Sequence, residues 1–78
     1  MTTQDFKNTI KIHLESTRST LKIANSAEEK LLLACSDIHI TEDERTMFKI
    51  LFDLGRGEVE DTILLLSTTD LNDSRGES

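Results

Sequence analysis

Apolar residues recur along the first 24 positions at steps of four and three. Phe6, Ile10, Leu14, Leu21 and Ala24 mark the stripe, with Thr17 in register between them. Such spacing is one face of an amphipathic helix and predicts a helix over about 3–24. Thr2 or Thr3 can cap it, with Gln4 and Asp5 in the first turn, where a helix N-terminus favours acceptors and negative charge. Serine and threonine are frequent between the apolar positions, so intrinsic propensity is only fair and packing must hold this helix. Ser26-Ala27-Glu28-Glu29 has the form of a capping box and opens a second helix over about 27–37. Asn25 is placed to end the first helix in a left-handed turn; one continuous helix kinked there is the alternative. Leu31–Cys35 is apolar around most of its circumference, which sets it in the middle of a bundle or of an oligomer.

Thr41-Glu42-Asp43-Glu44 is a second capping box, followed by Met47, Phe48, Ile50, Leu51, Phe52 and Leu54. It predicts a helix over about 42–54, stopped by Gly55-Arg56-Gly57 because Gly55 is favourable just past a helix end. Extending the Met47/Leu51/Leu54 face by helical steps lands on Glu58, Asp61 and Thr62, not on Val59 and Ile63. A separate last helix over about 58–66 therefore fits better than a bent continuation. From Ser67 the chain turns polar and reads as a loose tail over 67–78. No five residues alternate with period two, and Ile38-His39-Ile40 reads as a helix–helix connection. The expected fold is all-α: three to four short helices over 1–66, a hairpin or bundle.

Length sharpens that expectation. A chain of 78 residues makes one domain and buries little of its surface. Small domains commonly lean on disulfides, metals or self-association. One cysteine, Cys35, excludes an internal disulfide, and two histidines with one thiol are too few for a structural zinc site. Self-association is left as the expected means of completing the fold, with an adequate monomeric bundle as the alternative. No apolar run approaches the roughly 20 residues that span a bilayer. With no secretory leader pattern either, a cytoplasmic protein with a reduced thiol is expected.

Charge is divided along the chain. Lys7, Lys11, Arg18 and Lys22 outweigh Asp5 and Glu15 before residue 26, whereas carboxylates dominate from there on, and the net charge is −6. The four early cations lie four, seven and four residues apart, on one flank of the first predicted helix. They form either a strip for phosphates or acidic protein, or a solvated flank whose stems cover the core edge and whose charges meet the chain's own acidic helices. Ile12 and Ile23, eleven residues apart, share an angular position opposite the main stripe. That makes them a candidate docking strip, although scattered exposed isoleucines are also ordinary.

Little else carries chemistry. Cys35 with His13 or His39 as base would be a nucleophile pair, but a thiol amid leucines is usually an inert packing residue. Glu42-Asp43-Glu44 sits where a helix dipole favours carboxylates. Gly55-Arg56-Gly57 lacks the spacing of a phosphate loop. No cofactor or metal is expected.

Three resemblances arise from these segments. Ile40–Phe48 with Phe52-Asp53 resembles the entering helix of an EF-hand. Leu54, Gly55, Arg56 and Gly57 then supply no side-chain oxygen ligands, and Leu64 stands where the bidentate glutamate belongs, so calcium is not implied. The same region, with Phe48, Asp53, Glu58 and Val59, is similar to the central helix of Hha-type nucleoid modulators. That resemblance implies a small helical protein that binds a larger DNA-binding partner through an acidic residue, here Asp53. Met1-Thr2-Thr3-Gln4-Asp5, the basic first helix and the acidic tail resemble Rop-type helical hairpins. This one implies a dimeric four-helix bundle with Lys7, Lys11 and Arg18 facing RNA.

The functional expectation is a non-enzymatic protein-interaction module, a cytoplasmic regulator or adaptor of bacterial or phage type. It would dock on a partner protein through Ile12, Ile23 and Asp53. The alternative is a helical-hairpin RNA-binding regulator using Lys7, Lys11, Arg18 and Lys22.

Overall fold

The computed structural model describes residues 2–69 and is all-α there: α1 (Thr3–Ser16), α2 (Arg18–Lys22), α3 (Ala27–Cys35), α4 (Glu42–Leu54) and α5 (Val59–Thr68). Five helices replace the expected three to four because the first predicted helix is two. Its break falls at Thr17, where three donors converge on one carbonyl. The Thr17 N–H, the Thr17 hydroxyl and the Ser16 hydroxyl all donate to His13 O, at 2.9, 2.8 and 3.0 Å. Side-chain hydroxyls that compete for carbonyls of the preceding turn bend helices. The apolar register survives the bend, since Phe6, Ile10, Leu14 and Leu21 are all buried.

Helix starts follow the sequence signals. The Thr2 hydroxyl accepts from the Asp5 amide and the Thr41 hydroxyl from the Glu44 amide, each with the reciprocal carboxylate bond of a capping box. Ser26 likewise accepts from the Glu29 amide, but the Glu29 carboxylate takes the Asn25 N–H at 3.1 Å rather than that of Ser26. Asn25 is not left-handed; Arg56 is the sole non-glycine with positive φ among the described residues. Instead α2 tightens at its end through Ile23 N–H to Thr20 O and Ala24 N–H to Leu21 O.

The glycine stop works by a different residue than expected. α4 ends in a Schellman motif, with Gly57 N–H on Phe52 O at 2.9 Å and Arg56 N–H on Asp53 O at 3.0 Å. Arg56 holds the left-handed position at φ 58°, while Gly55 has an ordinary φ of −82°. Gly55 serves close approach: a Cβ there would lie 2.8 Å from Thr62 Oγ1. Gly57 needs its freedom twice over, at φ 74° and with a Cβ position 2.7 Å from the Ala27 methyl. The turn after α4 is thereby pressed against α5 on one side and the start of α3 on the other. α5 also runs two residues past its expected end. The Thr69 N–H on Leu65 O closes the last turn, within which the hydroxyls of Ser67 and Thr68 donate to Ile63 O and Leu64 O. The rest of the expected tail, 70–78, lies outside the described residues.

The core is built mainly from α1 and α4, with smaller contributions from α2, α3 and α5. Phe48 and Phe52 stack edge to face, with ring centres 5.6 Å apart, beside Phe6, Ile10, Leu14, Leu21, Leu51 and Leu66. Thr62 is buried with its hydroxyl donated to Glu58 O at 2.8 Å. α4 buries Glu44, Phe48, Leu51 and Phe52, so the Met47/Leu51/Leu54 face is not its core face, and Leu54 is 65% exposed.

Gly57→Ala should cost about 2 kcal/mol or more, from left-handed strain plus the clash with Ala27, lowering Tm by roughly 10 °C. Arg56→Gly should raise stability by about 0.5–1 kcal/mol by removing the same strain at its neighbour. Thermal and urea melts followed by circular dichroism measure both, and equal midpoints for the three proteins would contradict this reading of the turn.

Candidate protein-docking surface

α3 occupies neither the middle of the fold nor a covered position. It buries only Ala34 and Cys35, while Leu32 is 67% and Leu33 36% exposed. The reason lies in the core. Three phenylalanines and the α1–α2 stripe already fill it, and Gly57 against Ala27 fixes where α3 starts. The apolar circumference read from Leu31–Cys35 therefore has one side against α2 and α4 and the other open.

Between α3 and α4 runs a groove of about 420 Å³, with Leu31, Leu32 and Cys35 as its apolar surface. Glu28 and Glu29 edge it from α3, and Arg45 and Lys49 from α4. Lys49 is held by Asp53 one turn on, at 2.9 Å. Cys35 is 6% exposed, and burial pushes its thiol pKa up against the smaller opposing pull of the Arg45 charge. A thiol so placed is protonated and a poor nucleophile at neutral pH. Neither histidine lines the groove. His13 instead reaches Asp37, with Nε2 3.1 Å from Oδ1, at ion-pair distance but without hydrogen-bond alignment. Among the described residues no three His, Cys, Asp or Glu side chains are grouped to hold a metal ion.

The residues singled out from the sequence do not form one site. Ile12 and Ile23 are exposed, at 65% and 78%, but the bend at Thr17 puts Ile12 on α1 and Ile23 at the end of α2. Asp53 is exposed on α4 and paired with Lys49. Of the basic flank, Arg18 pairs with Glu60 of α5 at 3.4 Å, an exposed contact worth at most about 1 kcal/mol. Lys7 and Lys11 lie beside Leu66 and Ser67, at the C-terminal turn of α5. That turn carries no basic residue of its own, and cations there complement the negative end of the helix. Of the basic flank, Arg18 is thus the residue ion-paired within the chain among the described residues. Missed in the sequence were the groove and the outward face of α3, together with Ile50, Leu54 and Leu64, which are also exposed. The signal present was the excess of apolar positions around α3.

The raised Cys35 pKa sets a pH dependence. The folded thiol keeps its proton to higher pH than the unfolded one. Its contribution to stability is whole below the unfolded thiol pKa of about 8.5 and is lost as pH rises through the folded value. Alkylation by iodoacetamide at pH 8 should be at least tenfold slower in the native protein than in urea (roughly the accessibility and thiolate penalty of a buried thiol). Equal rates in the two states would contradict the burial.

No family model matches the chain, and neither a curated protein nor a solved structure does.

Proposed function

We propose that this chain is a small non-enzymatic protein-interaction module, a regulator or adaptor that works by docking on a protein surface. One observation carries the reading: α3 leaves Leu32 and Leu33 exposed beside an apolar groove, in a chain whose core is already filled. Burial of one such leucine is worth about 1.5–3 kcal/mol, enough for a few anchors to hold a complex. Completion of the fold by self-association belongs to the same proposal, because a second copy is one way to cover that face. Ile12 and Ile23 are further exposed anchors on separate helices, and Asp53 is an acidic contact at the α4 surface.

The groups present favour docking over turnover. Cys35 is buried and protonated, and His13 lies against Asp37, outside the groove. Binding of RNA through Lys7, Lys11, Arg18 and Lys22 is the second reading, and the pairing of Arg18 with Glu60 within the chain weighs against it.

Capture by the immobilised full chain, compared between wild type, Leu32→Asp and the pair Ile12→Asp with Ile23→Asp, tests the proposal. Leu32→Asp should weaken partner capture at least tenfold (a desolvated anchor replaced by a charge) with the helical spectrum unchanged. Capture indifferent to all three substitutions would remove the docking reading. A parallel titration of RNA over a salt series should give weak binding that Lys11→Glu with Arg18→Glu leaves unaltered. A steep salt dependence abolished by those two changes would instead establish the phosphate-binding alternative.

A further inference from the structure

The α3–α4 groove has two unlike ends. α3 and α4 are joined by the short connection 36–41 and so run antiparallel. Ser26, Glu28 and Glu29 therefore stand at one end, and Cys35 with Arg45 at the other. Leu31 and Leu32 lie between them, and Lys49 flanks the middle from α4. Seven residues of helix separate Glu28 from Cys35, about 10 Å. Lys49 is paired with Asp53, but neither Glu28 nor Arg45 has an ion-pair partner among the described residues. The groove is thus a short apolar trough with an unmatched carboxylate at one end and an unmatched guanidinium at the other.

We propose that its occupant is a second copy of the chain, set across a two-fold axis near Leu32 that reverses one α3 against the other. This rests on the docking reading above and names its partner. Reversal lays the Glu28 end of each copy over the Arg45 end of the other, so both unmatched charges are satisfied twice by one symmetry operation. It also seats each Leu32 on the second copy's Leu31 and Cys35. A parallel arrangement sets Glu28 on Glu28 and Arg45 on Arg45, and like charges face to face reject it. A partner of uniform charge leaves one end of the trough mismatched. The net charge of −6 on each chain opposes approach, and the reciprocal local pairs with the buried leucines outweigh it.

Sedimentation equilibrium of the full chain tests this. The wild type should show twice the 8.8 kDa mass of one chain at high concentration. Glu28→Arg alone and Arg45→Glu alone should each raise the dissociation constant at least about tenfold, since each places two like-charged pairs in the interface. An equimolar mixture of those two variants should recover association, because a heterodimer carries both pairs with opposite sign. Leu32→Asp should be monomeric. All three substitutions are at exposed positions, and unchanged circular dichroism verifies the fold. Wild type that stays at 8.8 kDa up to about 1 mM, the weak limit of a specific contact, overturns the proposal. So do single variants that associate like wild type, or a mixture that recovers nothing. A monomer that captures a different protein through Leu32 overturns the two-fold pair while the docking reading stands. A monomer whose Leu32→Asp variant loses nothing ends both.

Discussion

A missing methyl group holds this molecule in its shape. Gly57 lies so close to Ala27 that any side chain would collide with it, and its backbone is left-handed besides. Through that contact the Schellman turn that ends α4 is pinned to the start of α3, while Gly55 packs against Thr62 at the start of α5. Three helices are thereby fixed by backbone proximity rather than by large side chains. The arrangement has a consequence for the core. Phe6, Phe48 and Phe52 with the aliphatic stripe of α1 and α2 fill the interior, and α3 arrives at its edge with only Ala34 and Cys35 turned inward.

Much of the fold is legible in the residues. Thr2, Ser26 and Thr41 start helices because a hydroxyl followed by an acidic residue satisfies orphan amides, a rule local enough to be read without tertiary context. The failures have separate causes, each decided only by three-dimensional geometry. Thr17 shares a helical register with Leu14 and Leu21, so periodicity hides it. Its hydroxyl nevertheless takes the His13 carbonyl and divides the helix. Ser67 and Thr68 look like tail residues, yet the backbone bond from Thr69 N–H to Leu65 O keeps them in α5. At the α4 stop, the glycines point to the left-handed residue, but Arg56 takes it because both glycines are needed for close approach.

The candidate site was legible in part. Exposure of Ile12 and Ile23 follows from their position opposite the stripe, whereas the helix break at Thr17 between them is invisible in spacing. The basic flank was equally visible, but its engagement is tertiary. Arg18 finds Glu60, and Lys7 and Lys11 find the end of α5, only because α1 and α5 lie side by side in opposite directions. The all-round apolar character of α3 was the strongest clue to function. A helix of that kind in so small a chain is either central or uncovered, and the packing of Gly57 on Ala27 decides for the second.

The account reduces to whether the outward face of α3 is covered in solution, and by what. Isotope-filtered nuclear Overhauser spectroscopy on a mixture of labelled and unlabelled chain reads this directly. Contacts from the Leu32 methyl groups of one copy to Leu31 and Cys35 of the other are the result the account predicts. Leu32 resonances that show no contact between copies, and no change with dilution, would contradict it.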